Sequence, residues 1–327
     1  MAFKVGLIGA GAVAEVHAEI LARDPRVRIA SAFDPITDRA SSMADRYGAR
    51  AARSVDDLLD QSQAVFICTP NRTHVDLACQ ALAADKPTFC EKPFALDLEG
   101  ARKVRDAARR AGVVFQLGHN RRFAPVYKVL KQAIHEGRLE PVSVHAKMNR
   151  GELLNPPWVG DGKVTGGFLY ETPVHMFDLM RFFFGDVAWV EVAARAHQNN
   201  ELDDFSILLG FTSGLQATMK TFAHASWHFP FERFEVCGRH STYETFEMER
   251  ISYTDGLEKE TITLDFGLRP RDHKWGYVEE DALFVDALEG KGDPPVTAED
   301  GYRVVALIEG CYQSARSEKR VTFGSSF

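Results

Sequence analysis

Between Phe3 and about Leu117, short runs rich in β-branched and aromatic residues alternate with stretches whose apolar positions recur at helical spacing. The runs Phe3 to Ile8, Arg28 to Phe33, Ala64 to Cys68, Thr88 to Cys90 and Val113 to Leu117 are apolar through most of their length. That is the mark of strands covered on both faces. Helices are expected over Ala12 to Ala22, Arg39 to Tyr47, Thr73 to Ala83 and Leu98 to Ala111. Alternating strand and helix predicts βαβ units, and therefore a doubly wound parallel sheet of five or six strands.

Past Asn120-Arg121-Arg122 the rhythm changes. A helix is expected over Pro125 to His135, a strand over Val142 to Met148, a Gly/Pro-rich loop from Gly151 to Gly167 and a helix over Pro173 to Phe184. Five β-type segments follow: Trp189 to Ala196, Phe205 to Phe211, Leu215 to Ala223, Phe231 to Cys237 and Thr261 to Leu264. Turns such as Thr212-Ser213-Gly214 are too short for a parallel crossover, so these strands are expected to run antiparallel. Helices over Tyr277 to Leu288 and Ala298 to Ser317 close the chain. The reading is an α/β domain over residues 1–121, then an α+β domain over 122–327 with a large, mostly antiparallel open sheet. The closing helix is free to pack back on the first domain.

Composition narrows the class. The 327 residues are enough for two cores, and 26% charged with 45% hydrophobic residues is ordinary for a water-soluble chain, which excludes disorder and low complexity. Acidic residues outnumber basic ones, 46 to 39, and no Lys/Arg block stands ready to neutralise a row of phosphates, so nucleic acid is not expected as a partner. No run reaches the roughly 18 apolar residues of a membrane span, and the N-terminus lacks a secretory pattern, so a cytoplasmic location is expected. The five cysteines are scattered without metal-ligand spacing; they read as reduced core thiols, and no metal site is expected.

Gly9-Ala10-Gly11-Ala12-Val13-Ala14 fits the G-x-G-x-x-G/A fingerprint. Its glycines allow a tight turn and let the backbone approach a pyrophosphate at a helix N-terminus. It directly follows the first expected strand and opens an apolar helix, and Asp34 ends the second strand. A carboxylate there accepts hydrogen bonds from ribose hydroxyls and repels a 2′-phosphate, which predicts NAD over NADP.

Further along stand Cys68-Thr69-Pro70-Asn71-Arg72-Thr73-His74, Glu91-Lys92-Pro93, Asn120-Arg121-Arg122-Phe123, and Gly166-Gly167 followed by His175 and Asp178. With Thr297 to Gly301 and Ser314-Ala315-Arg316, these motifs resemble, in order and over nearly the whole chain, the Gfo/Idh/MocA oxidoreductases. That family includes inositol dehydrogenases and glucose–fructose oxidoreductase. The resemblance implies a Rossmann domain followed by an α/β domain whose open sheet carries the oligomer interface, hence a homodimer or homotetramer. It also implies an NAD-dependent dehydrogenase acting on a secondary alcohol of a sugar, cyclitol or related polyol. The same family holds NAD-dependent glycosidases, retained-cofactor oxidoreductases and non-catalytic sugar sensors, which stay as alternatives.

By the same resemblance Lys92 hydrogen-bonds the reacting hydroxyl and stabilises the alkoxide, and His175 transfers the proton. Lys92 is also expected in a turn at the carboxyl edge of a parallel strand, where ligands bind in such sheets. Glu171 stands where the family usually has Asp, one methylene longer, and is expected to bind a substrate hydroxyl and tune His175. Thr172-Pro173 also reads as an N-cap followed by a first-turn proline. Gly9, Gly11, Ala12, Val13, Asp34, Thr69, Pro70, Asn71, His74, Glu91, Lys92, His119 and Asn120 are the expected cofactor-binding residues. Asn149, Arg150 and Trp158 join Lys92, Glu171 and His175 as expected substrate-binding residues, while Asp178 reads as structural and Arg121 as a salt-bridge residue.

Overall fold

The computed structural model describes residues 2–153, 157–198, 200–227 and 231–324, with backbone alone at 157 and 158. The chain divides into two compact units, Met1–Asn120 with Tyr277–Tyr302, and Arg121–Gly276 with Arg303–Phe327.

In the first unit the order is β1 (Phe3–Ile8), α1 (Ala12–Leu21), β2 (Val27–Phe33), α2 (Thr37–Tyr47), β3 (Arg50–Ala51), α3 (Val55–Gln61), β4 (Ala64–Ile67), α4 (His74–Ala83), β5 (Thr88–Glu91), α5 (Leu98–Ala111) and β6 (Phe115–Gly118). Among the described residues these form a six-stranded sheet, β3-β2-β1-β4-β5-β6, with every pairing parallel. β4, β5 and β6 are buried at every position, which explains their unbroken apolar character. Local chemistry sets the helix ends: the Ser54 hydroxyl accepts the Asp57 N–H, the Asp97 carboxylate accepts the Gly100 N–H, and Gly112 stops α5 in a left-handed conformation. Phe66 and Phe89 stack at 4.5 Å, and Phe284 from the returning segment meets both edge-on. The strand order reverses between β1 and β4, opening a crevice at their carboxyl ends.

The second unit continues with α6 (Pro125–His135), β7 (Pro141–Met148), the short α7 (Gly162–Thr165) and α8 (Phe168–Glu171), then α9 (Val174–Phe184). Its strands are β8 (Val187–Arg195), β9 (Asp204–Phe211), β10 (Gln216–Phe222), β11 (Glu232–Gly238), β12 (Thr242–Phe246), β13 (Arg250–Thr254) and β14 (Ile262–Asp265). The chain ends with α10 (Arg271–Lys274), α11 (Tyr277–Leu288), α12 (Ala298–Ser317) and β15 (Val321–Thr322).

Among the described residues the second sheet has nine strands, β14-β13-β12-β11-β7-β10-β9-β8-β15. It is mostly antiparallel, as expected, with one parallel pair, β7 and β10. These two strands are not joined by a hairpin, since α7 to α9, β8 and β9 lie between them and form the long connection a parallel pair requires. β12 and β13 occupy a stretch where no strand is expected; Tyr243, Thr245 and Ile251 are buried between more polar, outward residues. Tyr127, Phe183 and Phe234 cluster on one face of the sheet. The five cysteines are all free, with Cys68, Cys90 and Cys311 buried.

Beside this core the Glu232 carboxylate accepts the Arg121 Nε–H at 2.9 Å and the Tyr127 hydroxyl. Glu247 is half-buried, and burial together with the Glu232 charge pushes it up to about 7. A carboxyl raised in the folded state binds its proton more tightly there than when unfolded. Its contribution to stability is therefore fullest below its ordinary value near 4.5 and falls as pH rises towards about 7. Glu247→Gln is accordingly expected to raise the melting temperature at pH 8 by more than at pH 5. Calorimetry at the two pH values checks this, and an equal shift at both would refute it.

Candidate active site

In the first unit the turn after β1 is shaped by Gly9, whose φ of +99° disfavours any side chain. A Cβ there would stand 2.4 Å from the Cys68 carbonyl oxygen, so the turn also needs glycine for close approach to the end of β4. At Gly11, the residue before α1, a Cβ would meet nothing within 4 Å, so the backbone there is open on its Cβ side. Ala12 and Val13 form the first turn behind it. The Asp34 carboxylate accepts the Ala10 N–H at 3.0 Å and the Ile36 N–H at 2.9 Å, which fixes it beside the glycine turn. An open cradle of backbone N–H groups at a helix start, with a carboxylate one strand away, fits a dinucleotide's pyrophosphate and ribose.

Across the crevice, Thr69 and Pro70 lead into the Asn71–Thr73 turn, with Asn71 buried. The Thr73 hydroxyl donates to Thr69 Oγ1. His74 is fully buried, its Nδ1 2.6 Å from the Pro93 carbonyl and its Nε2 2.7 Å from that of Thr69. Burial pushes this imidazole down, and it ties the turn after β4 to the turn after β5. Glu91 closes β5 with its side chain buried, and Lys92 follows, half-buried; the Lys92 N–H donates to Glu91 Oε2 at 3.1 Å. His119 and Asn120, just past β6, are buried.

In the second unit, Asn149 and Arg150 follow β7. The Asn149 side-chain oxygen accepts the Phe222 N–H, which anchors the strand end. Arg150 donates from Nη1 to Glu171 at 2.7 Å and to the Thr172 hydroxyl at 2.9 Å, and lies over the Trp227 ring. Glu171 ends α8, and the N-cap of α9 is Pro173, one residue later than expected. The Thr172 hydroxyl serves Arg150 instead of capping the helix. His175 is buried in the first turn of α9. One turn further, Asp178 holds Arg122 through two bonds of 2.6 and 2.8 Å. The side chain of Trp158 lies outside the described residues.

The first unit therefore gathers the glycine turn, Asp34, the turn after β4 and Lys92; the second gathers Asn149, Arg150, Glu171 and His175. Sequence reasoning missed two buried residues beside Lys92's turn, His17 and Asp281, both hydrogen-bonded side chains. A lone polar residue at a helical core position was the only available signal for either. The Arg150–Glu171 pair was missed as a pair, since 21 residues separate its members. Among the described residues, no group of three or more His, Cys, Asp or Glu side chains could hold a metal ion, and no helix is long and apolar enough to cross a membrane.

Residues 3–119 match the family model of the Gfo/Idh/MocA oxidoreductases with an NAD-binding Rossmann fold, and residues 131–323 match that of the family's C-terminal α/β domain. Inositol 2-dehydrogenase of Rhizobium meliloti (strain 1021) is 27% identical, with 98% of this chain and 99% of the relative covered. Inositol 2-dehydrogenase of Paracoccus denitrificans is 28% identical over 95% of this chain and 93% of its own length. Among solved structures, levoglucosan dehydrogenase in complex with NADH superposes with a TM-score of 0.90 at 19% identity, covering 99% of this chain and all of that one, which is a likeness of fold.

Proposed function

This chain belongs to the Gfo/Idh/MocA oxidoreductase family and carries its NAD-binding Rossmann domain, and on that premise we propose that it is a reversible dehydrogenase. Its substrate is a secondary alcohol of a sugar, cyclitol or related polyol. The observation that carries this reading is the first unit's combination of an open glycine cradle, an Asp34 carboxylate fixed beside it and Lys92 in the turn after β5. Relatives covered over nearly their whole length are inositol 2-dehydrogenases, which supports the substrate class.

Gly9, Gly11 and the start of α1 would hold the pyrophosphate, Asp34 the adenosine ribose, and the turns after β4 and β5 the nicotinamide half. NAD supplies the hydride acceptor. Lys92 donates a hydrogen bond to the reacting oxygen, and its positive charge favours the alkoxide over the alcohol. His175 takes the hydroxyl proton during oxidation and returns it during reduction, work suited to an imidazole near neutral pH. Glu171 accepts from a substrate hydroxyl with its remaining lone pairs, Arg150 holding the carboxylate in place. A homodimer or homotetramer through the outer face of the second sheet, in the cytoplasm, goes with this reading.

The test is NADH formation by the purified protein across inositols, aldoses, sugar acids and amino sugars, with NADP in parallel. Turnover of a polyol or sugar with a higher kcat/KM for NAD is expected. Silence across the panel would overturn the dehydrogenase reading, and a higher kcat/KM with NADP would overturn the role given to Asp34.

A further inference from the structure

The Glu91 carboxylate, one residue before Lys92, takes part in a buried chain of charged side chains that the proposed mechanism does not use. Its Oε1 lies 3.1 Å from His17 Nε2, while its Oε2 accepts the backbone N–H of Lys92. On its other side His17 Nδ1 lies 2.8 and 3.0 Å from the two carboxylate oxygens of Asp281. His17 comes from α1, Glu91 from β5 and Asp281 from α11, so three elements meet at one imidazole. All three side chains are buried, and the rings of Phe66, Phe89 and Tyr277 wall the imidazole at centroid distances of 5.0 to 5.6 Å.

An imidazole facing a carboxylate at each nitrogen satisfies both only when both nitrogens carry protons. Asp281 and Glu91 accordingly raise His17 well above its ordinary value, against the opposing effect of burial. Such a chain is directional in a way that apolar packing is not. Each bond restricts where the next carboxylate can lie, and the last bond ends on the backbone of Lys92. Apolar residues of similar volume commonly stabilise a core as well as or better than buried ions do, so a gain in stability alone does not account for three ionisable groups here.

We propose that His17 and Asp281 are positioning residues for Lys92: through Glu91 they lock the turn after β5, and α11, from the far end of the chain, completes that turn. The proposal rests on the role given to Lys92 above. It adds that the reactive geometry depends on a helix almost 200 residues away in sequence (Lys92 to α11 at Tyr277).

The test compares the full-length wild-type protein with His17→Gln, Asp281→Asn and, as a control for lost packing, Phe284→Leu. Phe284 lies on the same helix as Asp281 but contacts Phe66 and Phe89. Hydrogen exchange of the NAD-free protein reads the lock without substrate. In His17→Gln and Asp281→Asn the peptide spanning Lys92 is expected to exchange about tenfold faster or more, with β1 and β2 unchanged. On whichever panel substrate turns over, kcat is expected to fall about 100-fold while KM for NAD stays within about twofold, because a displacement of about 1 Å suffices for such a loss. Phe284→Leu is expected to lower the melting temperature and leave kcat unchanged. If Asp281→Asn does not fold, His17→Gln carries the test.

Unchanged exchange at Lys92, or an acceleration spread evenly over the first unit, would overturn the proposal. So would a loss of kcat in Phe284→Leu equal to that in His17→Gln. The two readings fail separately: turnover retained in Lys92→Ala would remove the role of Lys92 and leave the exchange result to judge the lock.

Discussion

Lys92→Ala is expected to lower kcat by about a thousandfold on any substrate the wild-type protein oxidises, with affinity for NADH changed only severalfold. The size follows from what the side chain is asked to do. Removing one preorganised donor from a developing oxyanion costs roughly 10²- to 10³-fold in other enzymes, and here the donor also carries a full charge. Affinity is largely spared because the glycine turn and Asp34 follow β1 and β2, not β5. The measurement is steady-state NADH formation beside a fluorescence titration of NADH binding. Loss of binding in parallel with loss of turnover would mean that Lys92 serves the cofactor site and not the chemistry. Near wild-type turnover would remove Lys92 from the mechanism altogether.

The second large effect concerns stability. Asp178→Ala is expected to destabilise the protein by about 3–5 kcal/mol, because it strips the Arg122 guanidinium of a carboxylate held through two short bonds in a buried setting. The Phe182 ring, 5.0 Å from the guanidinium, recovers little of that. For a unit of this size the melting temperature would drop by roughly 10 °C. Replacing both partners, Arg122→Leu with Asp178→Leu, is expected to cost less than the single change, since no charge is then left behind in the core. Thermal or denaturant unfolding of the wild type, Asp178→Ala and the double variant decides it; a double variant as unstable as Asp178→Ala or more so would show that the pair's worth lies in packing, not in charge. The same result would bear on His175, which sits one turn before Asp178 on α9.

Much of the first unit was legible because its signals are local. The apolar runs at β1, β4 and β5 lie within a residue of the expected strands, and α5 over Leu98–Ala111 coincides with its expectation, carrying an Asp97 cap and a Gly112 stop. The two-residue β3 left no trace, since two residues cannot establish a period. In the second unit, β12 and β13 were missed because Glu244, Ser252 and their neighbours give a half-exposed sheet a polar average.

The resemblance of its motifs to a known family supplied the candidates Lys92, Glu171 and His175, while the chain's own pattern determined the two-part architecture, the parallel first sheet and the glycine turn with its acidic partner. Each of these depends on a few consecutive residues, or on a period repeated within one element. Tertiary structure alone decided which polar side chains meet. Residues 264 apart bring His17 to Asp281, Arg150 pairs with Glu171 across 21 residues, and β7 lies parallel to β10. A hydrogen bond between side chains depends on where two backbones pass in space. Sequence separation carries no information about that, so the partners appear only once the sheets have set the distances.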